Sequence, residues 1–164
     1  MLYALLAALL VLADQIVKLL VMKYIPLGGH VDFIPHIMEL TYVKNTGAAF
    51  SMFAQHTWIL ALISTVLSVV LAVAIWKNFF RHPLGKVCLT MLLAGAVGNL
   101  IDRVFRGFVV DMFSTTFMNF AVFNVADICV VVGGIAAAAY YLFLADKWEA
   151  KYKEDDNADP DPEL

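Results

Sequence analysis

Residues Thr57 to Trp76 read TWILALISTVLSVVLAVAIW, and no charged side chain occurs anywhere between His56 and Lys77. A helix rises about 1.5 Å per residue, so this stretch is long enough to cross a hydrocarbon core of about 30 Å. Inside lipid every backbone polar group must be satisfied within the protein, and a helix is the simplest way to do that. The segment therefore predicts a lipid-facing membrane helix.

Working outward from it, three further apolar runs approach the same length, at about Leu2–Tyr24, Gly85–Ile101 and Val125–Ala145. A composition of 62% hydrophobic and 15% charged residues excludes an ordinary soluble domain, and 164 residues leave room for one domain. The fold class expected is an all-α membrane protein, a four-helix bundle with a small β element. Residues 1–146 form the membrane domain and 147–164 a charged, disordered cytoplasmic tail. The first run has no basic leader and continues past Ala13 into Asp14 and Lys18, so it reads as a retained helix rather than a cleaved signal.

Lys77, Arg81, Lys86, Lys147, Lys151 and Lys153 flank the spans on one side, against Lys23, Lys44, Arg103 and Arg106 on the other. Basic residues favour the cytoplasmic side, so both termini are expected there and the connections 25–56 and 102–124 outside. The first connection carries two strand-like runs, His30–Ile34 and Met38–Val43, around Pro35-His36, and predicts a β element within about 25–56. The second is rich in phenylalanine, with Phe105, Phe108, Phe113, Phe117, Phe120 and Phe123, and reads as a segment lying in the membrane interface. Small residues, Ala94 and Gly98 in the third span and Gly133-Gly134 in the fourth, suit close helix packing.

Ionisable residues at membrane depth are costly and are either paired or used. Asp14, Asp102, Asp111 and Asp127 all fall near the outward ends of their segments. Asp14 has Lys18 one turn on, and Asp102 has Arg103 beside it and Arg106 one turn on, so these two read as ion-paired supports. Asp111 and Asp127 have apolar flanks and no basic residue within one turn. Two such carboxylates brought face to face share one proton and can activate a water while protonating a leaving group. Asn99, Asp102 and Arg103 share one helix face, and Asn124 and Asp127 share another if the fourth helix has begun.

Other chemistries are poorly served. His30, His36, His56 and His82 lack metal-ligand spacing, Cys88 and Cys129 sit in apolar runs, and there is no nucleophile elbow or phosphate loop. No cofactor or metal is expected. The net charge of −3 is dominated by the acidic tail after Lys153, and no basic, aromatic-laced patch points to nucleic acid.

These residues also resemble lipoprotein signal peptidase (signal peptidase II). The resemblance is carried by Asp14-Gln15-Ile16-Val17-Lys18, Asn45-Thr46-Gly47-Ala48-Ala49-Phe50-Ser51, Gly98-Asn99-Leu100-Ile101-Asp102-Arg103, Val109-Val110-Asp111 and Phe123-Asn124-Val125-Ala126-Asp127, in order and at matching spacing. It implies a bacterial inner-membrane aspartic endopeptidase that cuts prolipoproteins before a diacylglyceryl-modified cysteine. Asp111 and Asp127 would be the catalytic pair. Asp14, Lys18, Asn45, Gly47, Asn99, Asp102, Arg103 and Asn124 would line or support the site, and an outward β-cradle and adjacent interfacial helix would flank it near the outer leaflet. The expected partners are lipid-modified prolipoproteins and membrane lipids, with the chain acting as a monomer. Lys44, Met112 and Ala121-Val122 depart from the family's usual residues and read as rim positions. The competing reading is a small proton-coupled transporter, since buried acids also mark ion paths.

Overall fold

A computed structural model describes residues 1–47, 57–148 and 150. Its elements in chain order are α1 (Leu2–Tyr24), β1 (His30–Ile34), β2 (Met38–Asn45), α2 (Thr57–Trp76), α3 (Pro83–Phe105), β3 (Val109–Thr115) and α4 (Val125–Phe143). All four helices are long and apolar enough to cross a membrane.

Local chemistry sets the helix ends. Ile25 is extended at φ −114° and ψ 122°, as the residue before Pro26 must be, and α1 stops there. Pro83 opens α3, where the His82 ring accepts from the Leu84 N–H at 3.2 Å. His82 is therefore a helix cap, whereas His30 begins β1 and His36 occupies a turn at φ +61°. His56 and Ala48–Ser51 lie outside the described residues. The third helix runs four residues past its expected end at Ile101, because Asp102 and Arg103 find partners within the protein and do not terminate it. The fourth ends at Phe143, two residues short of the expected Ala145, where Leu144 leaves helical geometry. Lys147 and Trp148 are helical rather than part of a disordered tail, and residues 151–164 lie outside the described residues.

α3 is the central helix, packing on α1, α2 and α4 and half buried where the others are mostly exposed. Small residues make this possible. A Cβ on Gly95 would stand 2.4 Å from the Ala126 carbonyl oxygen, and one on Gly133 would stand 2.9 Å from the Met91 Cβ. Gly134 makes no such approach, its nearest neighbour being 3.7 Å away, so only the first glycine of that pair holds the interface. α2 presents Leu62, Ile63, Val66, Val69 and Val70 outward, as a lipid-facing helix should, and Ser68 satisfies its hydroxyl on the Ser64 carbonyl at 2.7 Å. Cys88 and Cys129 are buried free thiols.

The three strands form one antiparallel sheet in the order β1-β2-β3. The aromatic segment, beside which the resemblance implies an interfacial helix, instead supplies β3, and past the end of α3 at Phe105 it contains no helix. Hydrogen bonding decides this. Gly107, at φ +78°, reverses the chain after α3, and residues 109–115 then pair with β2 from Asn45↔Val109 to Met38↔Thr115. Alternation along β3 sends Val110 and Met112 against Val21 of α1 and Ile25 just after it, while Val109 and Asp111 take the other face, toward the cavity. Met112 is wholly buried in that core and is not a rim residue. A bulge in β2 between Leu40 and Val43 keeps Val43 and Asn45 on the same face as Asp111. A second apolar cluster, Leu71, Phe80, Leu89, Tyr140 and Ala145, closes the opposite end of the bundle.

Candidate active site

The polar residues sit where the cradle meets α1, α3 and α4, in a single connected network. Its base is ionic. Lys18 is completely buried, with its ammonium 2.9 Å from Asp14 Oδ2, 3.0 Å from Asp102 Oδ2 and 3.1 Å from Asn99 Oδ1. An ammonium has three N–H donors, and all three are matched. Asp14 Oδ1 accepts from the Ala126 N–H at 2.9 Å, tying α1 to the first turn of α4. Asp102 Oδ2 accepts from the Val110 N–H at 3.0 Å, tying α3 to β3 one residue before Asp111. Arg106 completes the group through an ion pair with Asp102 Oδ1.

Above this base stand two carboxylates joined by amides. Asp111 receives Asn45 Nδ2 on Oδ2 at 2.8 Å and Asn124 Nδ2 on Oδ1 at 2.7 Å. Asp127 receives Asn99 Nδ2 on Oδ1 at 2.7 Å and the Asn124 backbone N–H on Oδ2 at 3.1 Å. Asn124 is the N-cap of α4, its Oδ1 accepting from the Asp127 N–H at 2.9 Å. The side-chain and backbone N–H groups of this one residue thus contact both carboxylates, and its Nδ2 also reaches Asn99 Oδ1 at 3.2 Å. Asp127 serves as the third residue of a capping box with one oxygen and faces Asn99 with the other.

Among the described residues each Asp111 oxygen accepts one hydrogen bond, which leaves each a further lone pair. Asp111 is only 2% exposed, and burial is the main reason its carboxyl is pushed up from the ordinary value to about 6. The Asp127 charge pushes the same way, while the bonds from Asn45 and Asn124 and the charge of Lys18 oppose it.

Asp111 and Asp127 open onto one cavity of about 840 Å³. Asn45, Gly47, Asn99 and Arg103 line it beside them, as do Lys44 and Ala121-Val122, while Phe120, Phe123, Ile128, Val131 and Val132 give it an apolar wall. Val131 and Val132 are also strongly exposed on α4, so the cavity opens sideways through the helical surface. Asp14, Lys18, Asp102 and Asn124 lie behind it and act through the residues that do line it. Arg103 donates Nη1 to its own helix at Asn99 O, at a long 3.4 Å, and its buried Nε has no partner among the described residues. The Lys44 ammonium lies 4.8 Å from the centre of the Phe108 ring.

Every site residue expected from the sequence falls in this network or on the cavity. Sequence reasoning missed Gln15. Its Nε2 reaches Asp14 Oδ2 at 3.1 Å, Gly98 O at 3.1 Å and Asp102 Oδ1 at 3.2 Å, and its Oε1 accepts from Arg106 at 2.9 Å. The available signal was a second polar residue beside Asp14 in an otherwise apolar span. Among the described residues no group of His, Cys, Asp and Glu converges to hold a metal ion.

Comparison with known proteins places these features in context. A family model described as signal peptidase (SPase) II matches residues 6–143. The chain is 44% identical over 145 residues to the lipoprotein signal peptidase of Enterococcus faecalis, covering 88% of this chain and 89% of the relative. It is 44% identical over 138 residues to that of Streptococcus pneumoniae, covering 80% and 86%. A solved structure described as a bacterial membrane enzyme superposes with a TM-score of 0.81 at 27% identity, covering 99% of this chain and 93% of the other. A second with the same description gives 0.79 at 29% identity, covering 87% and 93%.

Proposed function

We propose, from the premise that this chain belongs to the signal peptidase II family, that Asp111 and Asp127 are its catalytic pair. The protein is a multi-pass membrane protease that removes signal peptides from prolipoproteins, as the family does. The observation that carries the finer reading is that two carboxylates from different elements, β3 and α4, open onto one cavity and are bridged by Asn124.

In the mechanism we infer, the pair holds one proton between its two carboxyl groups. The ionised member takes a proton from a water as the water oxygen attacks the scissile carbonyl carbon. The protonated member gives its proton to the carbonyl oxygen, leaving a tetrahedral gem-diol and no covalent bond to the enzyme. Collapse of that intermediate breaks the C–N bond, with one carboxyl delivering a proton to the leaving amine and the other recovering one from a gem-diol hydroxyl. The products are the signal peptide carboxylate and a mature chain whose lipidated cysteine carries a free amino group. Asn45, Asn99 and Asn124 hold the two carboxyl groups in orientation. The Arg103 Nε, without a partner among the described residues, is available to the carbonyl oxygen as charge develops there.

The substrate fits the cavity's character, polar at the carboxylates and apolar along α4. The lateral opening past Val131 and Val132 gives a diacylglyceryl-modified cysteine a route from the bilayer without crossing water. With both termini cytoplasmic in a bacterial inner membrane, the site lies near the outer leaflet. Transport is disfavoured because the buried charged residues among those described, Asp14, Lys18, Asp102 and Asp111, gather at one end and α2 carries none, leaving no relay across the bundle.

The test is cleavage of a diacylglyceryl-modified prolipoprotein by the purified protein in detergent, against Asp111→Asn and Asp127→Asn. Both variants should fold and fail to cleave. Full cleavage by either one refutes the pair. Labelling of cysteines introduced at Asn45 and near Phe108 from the cytoplasmic side would overturn the orientation.

A further inference from the structure

Asp102 does not face the cavity, yet it holds the backbone of β3 at Val110, the residue before Asp111. What orients Asp102 is therefore felt at Asp111. Its Oδ2 is committed to Lys18 and the Val110 N–H, and its Oδ1 is held from the other side by Gln15 Nε2 and by Arg106. Gln15 and Arg106 are themselves joined at 2.9 Å, so the two long side chains brace one another across the α1–α3 interface. Gln15 also fixes the Gly98 carbonyl one residue before Asn99, whose amide carries Asp127. The brace thus acts on the supports of both carboxylates.

Charge makes a second argument. The buried group holds two acids, Asp14 and Asp102, and Lys18 offsets only one of them. Arg106, 19% exposed at its side chain, supplies the second cation and brings the group to neutrality. Without it a net negative charge would lie directly behind Asp111. Among the described residues, the other charged groups that line the cavity with Asp111 are Arg103 from α3, Lys44 from β2 and Asp127 from α4, and Lys23 stands in the last turn of α1.

We infer that Gln15 and Arg106 are positioning residues for the reaction, setting Asp111 through Asp102 and the Val110 amide and balancing the charge behind it. This rests on the reading of Asp111 and Asp127 as the catalytic pair.

The experiment measures kcat, KM and the pH profile of cleavage, each profile normalised to its own maximum so that the folded fraction drops out. The enzymes compared are the wild type, Arg106→Met, Arg106→Lys, Gln15→Leu and Asp111→Asn. Arg106→Met should lower kcat roughly tenfold at little change in KM, since the change displaces a catalytic group without removing a substrate contact. It should also move the whole profile to higher pH, by about half a unit or more, because an uncompensated anion behind Asp111 favours its protonated form. Arg106→Lys restores the charge and should return the profile to its wild-type position. Gln15→Leu keeps every charge and should lower kcat several-fold with the profile unmoved. A wild-type kcat and profile in Arg106→Met overturns the inference, as does a wild-type kcat in Gln15→Leu should Arg106→Met fail to fold. Asp111→Asn separates the two claims: if it cleaves, the catalytic pair fails; if it is inactive while Arg106→Met is normal, only the positioning role fails.

Discussion

Replacing Lys18 with methionine should be among the most destabilising single substitutions in this protein. Methionine approximates the length and packing of the lysine stem, so the change isolates the ammonium. That group makes three contacts, at 2.9 Å to Asp14, 3.0 Å to Asp102 and 3.1 Å to Asn99 Oδ1, with no exposure. Asn99 Oδ1 keeps its bond from Asn124, so no acceptor there is orphaned. Among the described residues the two carboxylates are left with one cation, Arg106 on Asp102, and the group of four goes from neutral to a net charge of −1. Removing one partner of a buried ion pair costs about 3–5 kcal/mol because the other charge stays buried and uncompensated. Equilibrium unfolding in mixed micelles or by steric trapping in bicelles measures it. Adding Asp102→Asn to Lys18→Met restores neutrality, so the double variant should be more stable than the sum of the two single costs by about 1–3 kcal/mol. A Lys18→Met cost below about 1 kcal/mol, or strict additivity with Asp102→Asn, would refute the ionic account of the base.

Further outcomes follow from the same geometry. Gly95→Ala forces α4 away from α3 and should cost about 1–3 kcal/mol and much of the activity, whereas Gly134→Ala should change neither, which thermal denaturation and cleavage assays can compare. Asn124→Gly keeps most of the capping stability, a few tenths of a kcal/mol aside, yet loses the amide that serves Asp111, so it should fold near normally and cleave poorly. Asp111 titrates at about 6 when folded, above the ordinary 3.8, so the folded state binds the extra proton between those values. Stability should therefore fall as pH rises through about 4 to 6, by a few kcal/mol at most, and Asp111→Asn should weaken that dependence in unfolding titrations. In the same range the singly protonated pair gives way to the doubly ionised one, so kcat/KM should decline as pH rises through about 6, with the kcat limb displaced upward once bound lipid dries the cavity.

Much of this protein could be read before any coordinates. The four spans were visible because hydrocarbon thickness imposes a length on apolar runs, and errors were confined to ends such as Ile101, where paired charges let the helix continue. Asp111 and Asp127 stood out because their flanks lack cations, a local property. β3 was harder. Val109, Val110, Asp111 and Met112 are all buried, with α1 behind one face and the cavity before the other, so the period-two alternation that identifies a strand is absent. The Asn45–Asp111 bond joins residues 66 apart and depends on sheet register shifted by the β2 bulge, which composition does not reveal. Gln15 was passed over because a neutral amide in a helix reads as unremarkable until the partners it bridges, Asp14, Gly98, Asp102 and Arg106, are brought together.

The central claim is that Asp111 and Asp127 behave as one titrating pair. Carboxyl-selective infrared or carbon NMR titration of the membrane-reconstituted protein, compared with Asp127→Asn, tests it most directly. The account predicts that wild-type Asp111 titrates near 6 and that removing the Asp127 charge lowers that value. An Asp111 titration that is identical in the two proteins would contradict it.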